Sequence, residues 1–217
     1  MDPRCLGFSM KTFLILFLIA LIVPLSPAQT LSSVADLDHK VQAYLEAQQG
    51  QSRMGHFSDS DGKLLYEMIL KNNYTRAVDI GTGSGQSAIW MAWALSKTGG
   101  KLITIEIDET RYRAALARFK EAGLAPYVDA RLADALQLLP QLSGPFDFVF
   151  MDAPTVYARE FFDSVARQLV VGGRYLTHGV RGDGPSEYLD YLKSLKSFET
   201  SFNTGGDFSV TIKVSER

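Results

Sequence analysis

The chain has 217 residues, 46% hydrophobic and 21% charged, and its formal net charge is −2. That balance suits one globular domain with a sizeable core, and the lack of any basic run argues against a surface that tracks nucleic-acid phosphates. Chemistry on a small molecule fits better, and no nucleic-acid partner is expected.

The N-terminal stretch reads as a targeting segment. Phe13 to Val23 is a run of eleven apolar residues, preceded by Lys11 and followed by Pro24, Ser26, Pro27 and Ala28. A positive start, a short apolar centre and a small-residue exit predict a secretory signal over 1–28, cleaved after Ala28. Spanning a bilayer takes roughly 20 apolar residues, more than this run supplies. The alternative is an uncleaved anchor, which would be the expected route to a membrane. The protein is thus expected to be exported (periplasmic or secreted) or anchored at its N-terminus, and N-terminal sequencing of the mature chain reads which. The single cysteine, Cys5, precedes the apolar run, so the predicted domain over 29–217 has no thiol and no disulfide framework.

Beyond the signal, Val34, Leu37, Val41, Tyr44 and Leu45 recur at helical spacing, with Ser33 and Asp36 placed as a capping box. Gln48 to Gly62 reads as a loop. Leu64, Leu65, Met68 and Ile69 form a second amphipathic run that stops near Asn72-Asn73. From there strands and helices alternate. Strands are predicted at 77–80, 102–107, 127–132, 146–151 and 174–177, and helices at 87–95, 111–122 and 135–142. A further helix runs through Phe161, Phe162, Val165 and Leu169. Such alternation means βαβ units around a parallel sheet. Phe198 to Phe202 and Phe208 to Val214 flank Gly205-Gly206-Asp207 and read as a hairpin. The expected fold is one doubly wound, Rossmann-like domain, with a mostly parallel seven-stranded sheet and an antiparallel C-terminal edge hairpin.

The chemistry-bearing stretch is Val78-Asp79-Ile80-Gly81-Thr82-Gly83-Ser84-Gly85, where the first strand turns into a helix. Ligands of doubly wound sheets bind there, and glycines let backbone approach them closely. Glu106 closes the second strand, 25 positions after Gly81, where an acid can accept both hydroxyls of a ribose. A dinucleotide loop wants a glycine at position 86, which is Gln, and no Walker lysine follows, so neither NAD nor ATP is favoured.

This loop resembles motif I of class I S-adenosylmethionine-dependent methyltransferases. Gly85-Gln86-Ser87-Ala88 is similar to the variant found in the catechol/caffeoyl-CoA O-methyltransferase family. The resemblance spans roughly Ser58 to Val214 and includes Ile103 to Asp108, Ala133-Asp134-Ala135 and Phe146 to Ala153. It implies S-adenosyl-L-methionine as cofactor. Gly81, Gly83, Gly85 and Asp79 would belong to its cradle, Ser87 would hold its carboxylate, and Glu106 its ribose. Asp134 and Ala135 would border the adenine, and Asp152 would sit near the transferred methyl group.

The family's metal-dependent members hold an ion with one Asp after the fourth strand and an Asp-Asn pair after the fifth, and use a lysine as base. Here the first Asp is Asp152, the lysine position is Thr155, and the pair falls on His178-Gly179. One Asp and one His are too few for a hard-ion oxygen cage, so no metal is expected. His178 is then either the catalytic base or acceptor-binding group, alongside Asp152, or a loop histidine without a role. Arg181 to Pro185 reads as a lid or a plain connection. Trp90, Met91 and Trp93 read as core; Tyr157 and Arg159 are placed either by the acceptor or in solvent.

The reading is an O-methyltransferase acting on a small-molecule acceptor without a metal, with a homodimer left open. Its rivals are a non-catalytic domain that binds an adenosyl ligand, and a methyltransferase for a nitrogen, protein or lipid acceptor. The Asp152-Ala153-Pro154-Thr155 sequence after the fourth strand lacks the Asn-Pro-Pro-Tyr type of motif that amide or base nitrogen would call for.

Overall fold

Short apolar runs separated by helical segments order themselves into three layers in the computed structural model, which describes residues 27–48, 57–180, 186–202 and 207–216. The apolar run at 13–23, the loop at 181–185 and the Gly205-Gly206 turn lie outside the described residues. In chain order the elements are α1 (Pro27–Ala47), α2 (Asp59–Asn72), β1 (Arg76–Ile80), α3 (Gln86–Thr98), β2 (Lys101–Glu106), α4 (Glu109–Glu121) and β3 (Val128–Leu132). Then follow α5 (Ala135–Leu138), β4 (Phe146–Met151), α6 (Ala158–Val165), β5 (Leu169–His178), α7 (Ser186–Ser194), β6 (Phe198–Phe202) and β7 (Phe208–Lys213).

The seven strands lie in the order β3-β2-β1-β4-β5-β7-β6. β1 to β5 are parallel, whereas β7 runs antiparallel to both β5 and β6. This is the expected doubly wound sheet with an antiparallel edge. The chain leaves β1 toward β2 on one side and returns to β4 on the other, so a crevice opens at the carboxyl ends of β1 and β4.

Strands covered on both faces read as near-continuous apolar runs, and β1 and β4 do so. Alternate side chains feed two cores. Ala77, Phe148, Phe150 and Leu176 face α2, α3 and α4, packing with Leu65, Ile69, Met91 and Phe119. Val78, Ile80, Val149, Met151 and Tyr175 face the other way, against Leu139, Phe161, Phe162, Val165 and Leu192. Phe146 breaks the parity: it joins the second core although Phe148 joins the first, and the β4–β5 register shifts between these two residues. A register irregularity re-aims a side chain in this way. Each fully buried Phe contributes about 2–3 kcal/mol through removal from water.

Several sequence boundaries move. α1 is already helical at Ser33, so the Ser33/Asp36 capping box does not start it. The predicted loop at 48–62 ends early, because Ser58 and Asp61 form a reciprocal capping box that starts α2 at Asp59. Polar residues marked a helix start there, not its absence. β5 is longer than predicted and runs from Leu169 through Gly172-Gly173, taking Leu169 out of the preceding helix. Tyr127 belongs to a short 3-10 turn before β3, and the helix predicted over 135–142 is a single α turn followed by 3-10 geometry at Pro140. Among the described residues, no helix is long and apolar enough to cross a membrane.

Candidate functional site

The loop after β1 is shaped by its glycines and by hydrogen bonds from its own backbone. Gly81 and Thr82 both donate their N–H to the carbonyl of Ile105 at 3.0 and 3.1 Å, so the turn is tied to the end of β2. Gly81 adopts φ 94° and Gly83 φ 52°, conformations that glycine enters without strain. A Cβ at Gly81 would also stand 2.4 Å from the Asp152 carbonyl oxygen, so this residue lets the β1 and β4 ends approach each other. Gly85 begins α3 without any side-chain cap. The first N–H groups of that helix thus meet no capping side chain at Gly85, and such an end favours an anion.

Two adjoining cavities open at this crevice. One, about 290 Å³, is lined by Phe57, Thr82, Ser84, Gln86 and Ser87 together with Gly81, Gly83, Arg111 and Asp152. The other, about 360 Å³, shares Gly81, Gly83, Arg111 and Asp152, and is otherwise more apolar, with Ile107, Leu136, Pro154 and Phe161 in its wall. Glu106, Asp134 and Ala135 line that second cavity. The sizes are ordinary for small-molecule sites, which are mostly apolar with a few placed polar groups. The pair suits a ligand with a polar, charged end and a flat apolar end. S-adenosylmethionine has that form: a zwitterionic amino-acid end and an adenosine end.

Glu106 lines the second cavity with its carboxylate fixed by backbone amides. One carboxylate oxygen accepts from the Gly83 N–H at 2.7 Å; the other accepts from Ile107 and Asp108 at 3.0 and 2.9 Å. Three amides therefore orient it, and of its roughly four accepting positions the one left, on the oxygen that Gly83 meets, can take a hydroxyl. Asp134 caps α5 by accepting from the Leu136 N–H at 2.9 Å, which fixes the backbone beside the apolar end of the second cavity.

Asp79 lies one layer deeper. It is fully buried, lines neither cavity, and accepts a 2.7 Å hydrogen bond from Thr104 Oγ1. Thr104 and Thr82 hydroxyls meet at 2.5 Å, while Ser87 Oγ stays at 3.4 and 3.5 Å from the two Asp79 oxygens. Desolvation dominates here. It pushes the Asp79 carboxyl up to about 8, opposed by the Thr104 and Ser87 hydrogen bonds and assisted by the charges of Asp152 and Glu106.

At the end of β5 His178 is 4% exposed. Its Nδ1 lies 3.1 Å from Asp152 Oδ1 across the β4–β5 ends. Phe57 and Phe150 pack on the ring, with centroids 5.8 and 6.0 Å away. Among the described residues Nε2 is buried without a hydrogen-bond partner, and it faces Asp61 Oδ2 at 4.0 Å. Burial alone would lower the imidazole pKa. The Asp152 hydrogen bond and the charges of Asp152, Asp61 and Asp207 outweigh that, so it sits above its ordinary 6.5.

Of the residues singled out in the sequence, Gly81, Gly83, Ser87, Glu106, Asp134, Ala135 and Asp152 meet at the two cavities. Asp79 and Gly85 support them from below, the latter packed against Ala115 and Phe119 of α4. His178 joins Asp152 but lines neither cavity. Met91 and Trp93 are core, and Trp90 is partly buried beside them. Tyr157 lines the second cavity, while Arg159 stacks over Tyr191 at 4.2 Å and pairs with Asp163. Sequence reasoning missed Phe57 and Arg111, and it reached Asp61 only as part of Ser58 to Gly62, which resembles the family's loop over the cofactor, without giving that carboxylate a role. The Ser58/Asp61 capping signature was readable, but nothing in it announces that α2 starts against His178.

The fold and the paired cavities define a class I S-adenosylmethionine-binding domain. A profile of the O-methyltransferase family matches residues 33–178, and the chain belongs to that family. It is 35% identical over 131 residues to a catechol O-methyltransferase of Niastella koreensis, covering 58% of this chain and 59% of that one. It is also 30% identical to caffeoyl-CoA O-methyltransferase 1 of Eucalyptus globulus, over 54% of this chain and 49% of that one. The chain thus spans 59% and 49% of the lengths of these two curated relatives. The structure of an O-methyltransferase of tomaymycin synthesis from Streptomyces achromogenes, in complex with S-adenosylmethionine, superposes with TM-score 0.64 at 26% identity. That similarity covers 90% of this chain and 93% of the other. A methyltransferase of Podospora anserina, bound to S-adenosylhomocysteine, shares the fold with TM-score 0.71 at 18% identity, over 89% and 98% of the two chains.

Proposed function

We propose that this protein transfers a methyl group from S-adenosylmethionine to an oxygen of a small-molecule acceptor, without a divalent metal. The observation that carries this reading is Asp152, which lines both cavities and also holds His178. The residues fit the cofactor: Glu106 stands ready for the ribose, and the start of α3 offers amides to a carboxylate.

When bound, the cofactor supplies an electrophilic methyl on a sulfonium, open to in-line displacement by the acceptor oxygen. The chain's part is to orient that oxygen and take its proton. Asp152 fixes the imidazole through Nδ1, which leaves Nε2 for the proton. Asp152 and Asp61 then stabilise the imidazolium that results, much as a buried carboxylate steadies a catalytic histidine elsewhere. Catalysis by this route needs neutral His178, so activity should climb as pH rises through its raised pKa, above 6.5. The donor set supports metal independence: beside Asp152 stands a nitrogen donor, and Gly179 has no side chain where the family's oxygen ligand would stand.

One observation favours a second reading, an adenosyl-ligand-binding domain without turnover: His178 Nε2 is sealed and borders neither cavity. A screen of phenolic and other hydroxyl acceptors with labelled cofactor separates the two. The expected result is transfer that survives EDTA and falls at least tenfold in His178→Ala. Transfer abolished by EDTA and restored by magnesium would reject metal independence. Tight cofactor binding with no transfer to any acceptor would favour the binding domain.

A further inference from the structure

Among the described residues, the wall shared by the two cavities contains one cationic side chain, and it belongs to a helix that the glycine loop does not include. Arg111 lines both cavities, whereas the other charged residues in their walls are the acids Glu106, Asp134 and Asp152. Among the described residues its guanidinium has no hydrogen-bond or ion-pair partner; only its backbone N–H is engaged, by the Asp108 cap at 2.9 Å. Arg118 and Arg113 on the same helix are by contrast committed, to the Ser84 carbonyl at 3.0 Å and to Glu109.

The placement follows from helical spacing. Arg111, Ala115 and Arg118-Phe119 recur at i, i+4 and i+7 to i+8, so they share one face of α4. Ala115 and Phe119 are the atoms that a Cβ at Gly85 would strike, at 3.2 and 3.0 Å, and Arg118 binds the Ser84 carbonyl. That face of α4 therefore lies along the Ser84-Gly85 turn, and Arg111, at its N-terminal end, lines both cavities together with Gly83. The anionic end of a zwitterionic ligand there would rest between the start of α3 and this guanidinium. Its ammonium would be drawn to Asp152, in the same wall.

We propose that Arg111 is a cofactor-binding residue that straps the amino-acid end of the ligand by pairing with its carboxylate. This rests on the reading that the two cavities hold S-adenosylmethionine. An Arg is suited to the task because its planar fork can donate two parallel hydrogen bonds to a carboxylate. Ser87, assigned to the carboxylate by resemblance, is 4% exposed and turned toward Asp79, which leaves the solvent side of that carboxylate to another group.

The test compares two ligands by calorimetry on the full chain. S-adenosylhomocysteine carries the carboxylate; 5′-methylthioadenosine keeps the adenosine and thioether but lacks the amino-acid end. For Arg111→Ala, S-adenosylhomocysteine should bind at least tenfold more weakly, while 5′-methylthioadenosine changes less than twofold. Arg111→Lys should recover part of the loss, since it restores charge without the fork. Arg111 is exposed, so thermal melts of the variants should match the parent. Equal weakening of both ligands, or no weakening of either, would overturn the assignment alone. Failure of the parent chain to bind S-adenosylhomocysteine would overturn the cofactor reading and this assignment with it.

Discussion

Two carboxylates with opposite surroundings show how position sets the role of a residue in this site. Glu106 is met by three backbone amides and presents to a cavity; Asp79 is buried beneath the same loop with one short hydroxyl bond. If Glu106 accepts from the ribose as proposed, its replacement by Ala should cost about 1.5–3 kcal/mol of S-adenosylhomocysteine affinity, as for a hydrogen bond to a charged group. Calorimetry on a folded variant checks it; unchanged affinity would reject the ribose assignment. Asp61 acts on His178 through charge, at 4.0 Å from Nε2. Asp61→Asn keeps an oxygen for the Ser58 N–H, so the start of α2 should hold. It removes one of the charges that raise the imidazole pKa, which should therefore fall toward 6.5 when followed by proton NMR. No change in that titration would mean that Asp152 and Asp207 set the charge of His178 without Asp61.

At the scale of elements, the start of α2 is the piece on which the site depends most. Phe57 lines the polar cavity and stacks on His178, Ser58 and Asp61 close the capping box, and Gly62 follows within the first turn. Gly62 sits under the Trp90 ring of α3: a Cβ there would lie 2.1–2.5 Å from Trp90 Cδ1, Nε1 and Cγ. The glycine is there for close approach of two helices, not for an unusual backbone. Gly62→Ala forces either the indole or α2 to move, and overpacking of this kind costs about 1–3 kcal/mol. Urea denaturation should show that loss, and Gly62→Ala combined with Trp90→Leu should recover part of it. A single variant as stable as the parent would show that the indole swings aside without cost.

For the molecule as a whole, the buried acid and the buried imidazole make stability fall from acid toward alkaline pH. The sign is the same for both groups. Each has a folded-state pKa above its ordinary value, so its contribution is complete below the ordinary pKa and is lost as pH rises through the folded one. For Asp79 that window runs from 3.8 to about 8, because the folded protein resists ionising a carboxyl that water would ionise readily. For His178 it opens at 6.5 and closes above it. Asp79→Asn keeps an oxygen for the Thr104 hydroxyl and removes the proton equilibrium. Thermal melts between about pH 6 and 9 should decline less steeply for this variant than for the parent. Parallel curves would mean that Asp79 is not the group that loses its proton there.

The sequence by itself determined the topology and the residues of the glycine-loop side of the two cavities. Apolar runs at 77–80, 102–105 and 146–151 can only be buried strands when helices separate them, and the hairpin pattern after Phe198 placed the antiparallel edge. Gly81, Gly83 and Glu106 were legible because a loop that must bring backbone to a ligand tolerates few residue types, and these stand at spacings that βαβ geometry dictates. The Asp152–His178 pair was half legible: each residue stood at a strand end, but their 3.1 Å contact depends on β4 and β5 being neighbours. Only the tertiary structure decided the rest. Asp61 and Arg111 come from helices whose sequence spells helix starts and solvated charges, and that pattern is the same whichever part of the sheet the helix faces. What gives Asp61 its hold on His178, and Arg111 its place in the cavity walls, is the docking of α2 and α4 around the β1 loop. That docking is settled by packing at Gly62 and Gly85, between residues far apart in the chain.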